Sequence, residues 1–148
     1  MPSRYRLLVA LAGASLLLAA CAGGASDSPS GTSSELRTIQ VAMTDELRFE
    51  PDEFTVRVGE TVRFEVTNTG AILHDFFLGD EAEQAEHEEE MGGMSGMGED
   101  GPSSLSVDPG ETKTLEYTFP DEPGELLIGC HEPGHYDAGM VATVTIEE

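Results

Sequence analysis

Basic residues are scarce in this chain of 148 residues, which has 7 lysines and arginines against 29 aspartates and glutamates. A chain with so few cations cannot neutralise phosphates, so nucleic acid binding is excluded. The acidic surface would repel anionic lipids and favour docking to a partner protein with a basic surface. The alternative explanation for the acidity is solubility in a salty habitat or lineage bias.

A long apolar run is also missing, although the N-terminal segment is typical of an exported protein. Two arginines precede an uninterrupted run of small and apolar residues at 7–20, which is too short to span a membrane comfortably. The run ends in Leu18-Ala19-Ala20-Cys21, which resembles a bacterial lipobox and implies lipidation of Cys21. We predict a signal peptide over 1–20 and a lipid anchor on the cell membrane, facing the periplasm or the extracellular side. The alternative is a soluble secreted protein.

Cysteine is equally scarce, since Cys21 and Cys130 are the only two. Lipidation of Cys21 would leave Cys130 without a disulfide partner in an oxidising setting. Three explanations remain for such a thiol: a reactive nucleophile, an intermolecular cross-link, or a thiolate held by a metal.

Helical periodicity is nearly absent from the rest of the chain. Residues 21–36, after the signal peptide, have the Gly-, Ala- and Ser-rich composition of a flexible linker. From 37 to 148, short apolar alternations separated by turns predict one all-β domain with an antiparallel pattern. About seven strands favour a two-sheet sandwich: Ile39–Met43, Phe54–Val58, Val62–Val66, Ile72–Leu78, Lys113–Phe119, Glu125–Cys130 and Met140–Ile146. The second and third of these form a hairpin or an arch.

Residues 81–103 do not fit the strand pattern. They contain clustered glutamates, then a Gly- and Met-rich stretch, and no β-branched residue. We interpret this segment as a long, flexible insertion, which its length makes either functional or disordered. Its glutamates are predicted to form a solvated acidic face: Glu83, Glu86, Glu88, Glu89 and Glu90.

Three side chains that suit copper lie within eleven residues near the C-terminus: Cys130, His135 and Met140. A thiolate, an imidazole and a thioether are soft or borderline ligands, and two histidines, a cysteine and a weak axial methionine form the blue-copper arrangement. That arrangement needs one further histidine. A cysteine nucleophile built from Cys130 and His135 would leave Met140 unexplained.

Strand parity supports a metal site. Cys130, His74 and Met140 each share parity with the apolar residues of their own strand, and a bare imidazole or thiolate is costly to bury there. These apolar residues are Leu126 and Ile128; Ile72, Phe76 and Leu78; and Ala142, Val144 and Ile146. A metal would resolve the cost. Pro133-Gly134 supplies the turn that brings His135 back to the same point.

The spacing Cys130-x4-His135-x4-Met140, with His74 upstream after Asn68-x-Gly70, resembles the type 1 copper proteins, or cupredoxins. The resemblance covers residues 39–146, and the framework of this segment is similar to that of small bacterial plastocyanin- and azurin-like domains. It implies a Greek-key β-sandwich and one copper. The implied ligands are His74, Cys130 and His135 in the trigonal plane and Met140 on the axis.

Two residues beside these ligands depart from the family pattern. Asp75 stands where asparagine is frequent, and His131 stands where a smaller or uncharged residue is frequent. We predict that Asp75 and His131 pair with each other behind the ligands and tune the redox potential; the alternative is that both face solvent. His131 is also an alternative ligand to His135, but a residue adjacent to Cys130 points to the opposite strand face.

The insertion is a candidate for a second, labile Cu(I) site. Met91, Met94 and Met97 recur every three residues near His87, and thioethers favour Cu(I). Such segments are similar to those of bacterial copper-handling proteins. The alternative is a solvated loop in which the methionines have no role.

Three functions follow from these patterns. The first is one-electron transfer by a monomer, in which the exposed edge of His135 passes an electron to a redox partner. The second is copper trafficking or tolerance at the cell envelope. The third is an enzyme. Four features argue against it: the chain has only one copper-protein unit, and it has no His-x-His pair, no Ser/His/Asp set and no phosphate-binding loop.

Overall fold

The computed structural model describes residues 36–91 and 100–148, which form two β-sheets and one helix. The predicted signal peptide, Cys21, and nearly all of the predicted linker lie outside the described residues. The described elements are β1 Arg37–Thr44, β2 Arg48–Glu50, β3 Glu53–Arg57, β4 Thr61–Asn68, β5 His74–Gly79, α1 Glu81–Met91, β6 Ser104–Val107, β7 Thr112–Thr118, β8 Gly124–Gly129 and β9 Val141–Glu147.

The core lies between the two sheets and is centred on aromatic rings. One sheet has the strand order β2-β1-β4-β7, and the other has the order β3-β9-β8-β5-β6. Phe64 of β4 reaches across the sandwich to Phe54 and Phe76, with ring centroids 6.2 and 5.4 Å away. Its neighbours Val62 and Val66, two residues away on either side, are equally buried, as the alternation in β4 predicted.

The predicted all-β sandwich is confirmed, with nine strands among the described residues in place of about seven. The two missed strands, β2 and β6, have only three and four residues, which is too short for a clear alternation. Strands β3 and β4 form an arch, because β3 pairs with β9 while β4 pairs with β1 and β7. The β1–β4 and β3–β9 pairs are parallel, so the sheets are mixed and not wholly antiparallel as predicted.

The interpretation of residues 81–103 as one flexible insertion is wrong for its first half, because Glu81–Met91 form helix α1. A reciprocal capping pair begins the helix: the Glu83 amide donates to Asp80 Oδ1 at 2.9 Å, and the Asp80 amide donates to Glu83 Oε2 at 2.8 Å. Acidic side chains in the first turn also suit the helix dipole. No helix in the described ranges is long and apolar enough to cross a membrane.

Strand order gathers three chain segments at one end of the second sheet. Strand β8 runs antiparallel to both β5 and β9. The start of β5, the end of β8 and the start of β9 therefore meet at this end. These are the positions of His74, Cys130 and Met140.

Candidate metal centre

Three of the four predicted ligands converge at that end of the sandwich. The potential ligand atoms of His74, Cys130 and His135 all lie within 4.8 Å of one another. Cys130 Sγ is 3.3 Å from His135 Nδ1 and 3.8 Å from His74 Nδ1. Both imidazoles thus present the same ring nitrogen to the sulfur.

The burial of these residues is uneven. His74, Cys130 and Met140 are fully buried, whereas His135 is only half-buried. The site is therefore shielded by the fold except at His135. His135 is thus the donor residue that is partly exposed at the surface.

Backbone hydrogen bonds close the loop that holds Cys130, His135 and Met140. The Cys130 amide donates to the Met140 carbonyl at 3.2 Å, and the Met140 amide donates to the His135 carbonyl at 3.0 Å. Gly134 and Gly139 adopt φ angles of 81° and 92°, which glycine tolerates without strain. These bonds place Met140 directly beside Cys130 in the backbone.

Asn68 shapes the turn before His74, a role that the Asn68-x-Gly70 spacing alone does not predict. Its buried amide donates to the carbonyls of Ile72 and Val107 at 2.7 and 2.9 Å and accepts from the Gly70 amide at 2.9 Å. The prediction that Ile72 shares the buried face of His74 is wrong, because β5 begins only at His74 and Ile72 is 43% exposed.

Cys130 is held as a thiol when no metal is present. Burial raises the pKa of Cys130 to about 12, although backbone amides, including that of Asp75 at 3.3 Å from Sγ, oppose the increase. A cation at the site is needed to hold the thiolate near neutral pH. Burial, followed by the neighbouring His135, lowers the pKa of His74, which keeps its imidazole in the neutral form that binds metals.

Asp75 is a buried carboxyl group beside the site. Burial, reinforced by the charge of Glu132, raises the pKa of Asp75 to about 6, and Ser106 on the adjacent strand partly offsets this. Both Asp75 oxygens are buried and neither makes a well-formed hydrogen bond among the described residues, so the contact with the Ser106 side chain offsets little of the increase. The ionised form of Asp75 therefore destabilises the metal-free protein near neutral pH.

The predicted pairing of Asp75 with His131 is wrong. His131 Nδ1 lies 2.6 Å from Glu88 Oε2, and His131 Nε2 lies 2.7 Å from Gln84 Oε1, so both ring nitrogens face helix α1. The ring also stacks on Tyr136, with centroids 4.8 Å apart. Since both of its nitrogens are engaged, His131 does not compete with His135 for a metal. Glu88, predicted to be solvated, is its partner and keeps a side-chain exposure of 40%.

The proposed second copper site is only partly within the described residues. His87 stacks face to face on Phe77, with centroids 4.0 Å apart, and burial lowers its pKa. Met91 is buried and follows His87 by one helical turn. Met94 and Met97 lie outside the described residues. The second site therefore stays a prediction.

A two-sheet sandwich with a buried group of two histidines and one cysteine is the arrangement of a cupredoxin-type copper protein. The family described as copper binding proteins, plastocyanin/azurin family, matches residues 37–147. The chain belongs to this family. Its nitrogen and sulfur donors are chemically suited to copper, and copper is its cofactor.

Relatives and solved structures agree with this assignment. A copper-resistant cuproprotein CopI of Pseudomonas aeruginosa is 34% identical over 99% of this chain and 96% of its own length. A CopI of Rubrivivax gelatinosus is 38% identical over 80% of this chain and 71% of its own length. The reduced auracyanin of Roseiflexus castenholzii is 26% identical, covers 75% of this chain and 97% of its own, and superposes with a TM-score of 0.66.

We expect Asp75→Asn to stabilise the copper-free protein at pH 7 and not at pH 3.5. Because the folded-state pKa of Asp75 is raised above its ordinary value, its contribution to stability is present at low pH and lost as the pH rises towards 6. Removing the buried charge should raise the free energy of unfolding at pH 7 by about 2–3 kcal/mol. Urea unfolding at the two pH values measures this. The exposed Asp137→Asn is the control, and an equal gain for Asp75→Asn at both pH values would contradict the prediction.

Proposed function

We propose that this chain is a type 1 copper protein of the cell envelope that carries one electron at a time. His74, Cys130, His135 and Met140 would hold the copper, which would supply one-electron redox chemistry there. The observation that supports this most strongly is the convergence of two imidazole nitrogens and a sulfur within 4.8 Å at a buried end of the sandwich.

Bound copper would supply the one-electron couple between Cu(II) and Cu(I), and the residues around it favour that chemistry. His74 and Cys130 are fixed by strands β5 and β8, and His135 and Met140 by the hydrogen-bonded loop between β8 and β9. A rigid site of this kind accepts both oxidation states with little rearrangement. The half-buried ring of His135 is the contact through which a redox partner would exchange the electron.

The expected partner is a protein with a basic surface, since this chain has a formal net charge of −22. A copper held by all four residues would have no open position for a substrate, which favours a carrier over an enzyme. The export signal and the lipid anchor at Cys21 remain part of this proposal. They rest on the sequence pattern at the N-terminus, and we expect the protein to act as a monomer.

We expect purified protein loaded with Cu(II) to show an intense visible charge-transfer band between thiolate and copper. Cys130→Ser should abolish the band, because serine offers no thiolate. Cys21→Ser is the matched control and should leave the band unchanged. A wild-type protein without the band, or a Cys130→Ser protein that keeps it, would contradict the type 1 site.

Copper tolerance is the second candidate function. It is favoured by the relatives named copper-resistant cuproproteins, of which one aligns along 99% of this chain. A redox-active copper protein at the envelope would serve tolerance by taking up copper before it reaches more sensitive targets. The two candidates share the metal site and differ in what the cell loses without it.

Growth of a deletion strain distinguishes the two roles. For a tolerance protein, we expect the strain to grow normally at low copper and to fail at elevated copper. A copy of the wild-type gene should restore growth, and a Cys130→Ser copy should not. A growth defect that does not depend on copper would instead support an electron carrier with no role in tolerance.

The methionines of the insertion, Met91, Met94 and Met97, lead to a separate prediction about the number of Cu(I) ions that the protein binds. If it captures Cu(I), the wild-type protein should bind more than one Cu(I), and the double variant Met94→Leu, Met97→Leu should lose the excess. Leucine removes the thioether at similar size. Metal analysis after gel filtration measures the ratio, and an unchanged visible band is the control for the main site. Equal Cu(I) binding by both proteins would exclude the second site.

A further inference from the structure

Helix α1 contacts the sandwich through a polar side chain. Most of the helix is acidic and exposed, and Gln84 and Met91 are its only buried residues. Gln84 is 1% exposed. A buried amide is unfavourable unless its donors and acceptor are all used, so its partners define what the helix does.

The amide nitrogen of Gln84 contacts both strands that carry buried donors of the metal centre. Gln84 Nε2 donates to the Leu127 carbonyl at 2.8 Å and to the Phe77 carbonyl at 3.1 Å, with the Gly79 carbonyl at 3.4 Å. Phe77 and Gly79 belong to β5, which begins at His74. Leu127 belongs to β8, which leads into Cys130. One side chain therefore bridges the two strands.

The amide oxygen of Gln84 faces the residue next to Cys130. Because carbonyl groups surround Nε2, the orientation of the amide is determined, and Oε1 accepts from His131 Nε2 at 2.7 Å. Glu88, one helical turn further on, contacts the other ring nitrogen of His131 at 2.6 Å. With Tyr136 stacked on the ring, His131 is fixed on three sides.

Gly129 gives independent support for the close approach of Gln84. A Cβ atom at Gly129 would clash with Gln84 Oε1 and would lie 2.8 Å from Tyr136 Cε2. The residue before Cys130 must therefore lack a side chain for Gln84 and Tyr136 to pack against the backbone there. The end of β8 is shaped around these two side chains.

We propose that Gln84 is a positioning residue for the copper site. Through the carbonyls of β5 and β8 and through His131, it holds the Cys130 segment against His74, with Glu88 as its support on the next turn. Helix α1 thereby stabilises the positions of the donor residues. The inference rests on the proposed type 1 site for its spectroscopic consequences.

The test compares Gln84→Met with Glu86→Met, which makes the same replacement at an exposed position of the same helix. Changes to residues that orient metal ligands typically cost about 10–100-fold in metal affinity. We expect a loss of this size in copper affinity for Gln84→Met, with a shifted thiolate-to-copper band and a shifted redox potential. Glu86→Met should match the wild type in all three.

A second measurement needs no copper. In the full chain carrying Cys21→Ser throughout, Cys130 is the only thiol. Its reaction with a thiol reagent reports how often the buried site opens. We expect about tenfold faster reaction in copper-free Gln84→Met, since a lost hydrogen-bond network favours local opening. Glu86→Met should react at the wild-type rate.

Two variants of Glu88 distinguish a positioning role that acts through His131 from a general loss of stability. Glu88→Gln keeps an acceptor for the imidazole and should retain the wild-type band and potential, whereas Glu88→Ala should shift both.

Wild-type affinity, spectrum and thiol reactivity in Gln84→Met would overturn the proposal. If Gln84→Met does not fold, Glu88→Ala decides: a shifted band supports the proposal, and an unchanged band overturns it. A wild-type protein without the band would contradict only the type 1 site, because the thiol reaction still tests whether Gln84 positions the Cys130 segment.

Discussion

The structure around the site depends on one contact, in which the buried Cys130 sulfur lies between the imidazoles of His74 and His135. Without a cation, that sulfur stays protonated, because the protein interior destabilises a thiolate. Several features compensate for placing polar groups there. The Asp75 amide points at the sulfur, the Cys130 amide bonds to the Met140 carbonyl, and Asn68 fixes the turn that delivers His74. Backbone groups and the Asn68 side chain therefore contribute much of the positioning of the donor residues.

Much of this arrangement could be predicted from local patterns. Alternation in β4 and β8 identified the buried faces, although both faces of β5 are largely buried. The turn at Gly134, which adopts a φ of 81°, explains how His135 returns towards Cys130. Parity reasoning has a limit, however, because it holds only inside a strand. Ile72 lies two residues before the start of β5 and is exposed, although its parity matches that of His74.

Helix α1 and the environment of His131 could not be found in the same way. Helix prediction relies on an apolar stripe, and this helix uses a buried glutamine instead. The capping pair Asp80-x-x-Glu83 was the available local signal for its start. The partners of His131 lie 43 and 47 residues away in the sequence, on an element whose position only the fold determines. That Asp75 and His131 each stand next to a predicted ligand in the sequence was therefore a poor guide to their pairing.

The raised pKa of Cys130 has a consequence for how this thiol reacts. A thiol that is both protonated and inaccessible reacts slowly with oxidants and disulfides. Burial and the raised pKa of Cys130 together therefore disfavour disulfide formation by this thiol. The same burial that encloses the donor group thus also lowers the reactivity of its only thiol.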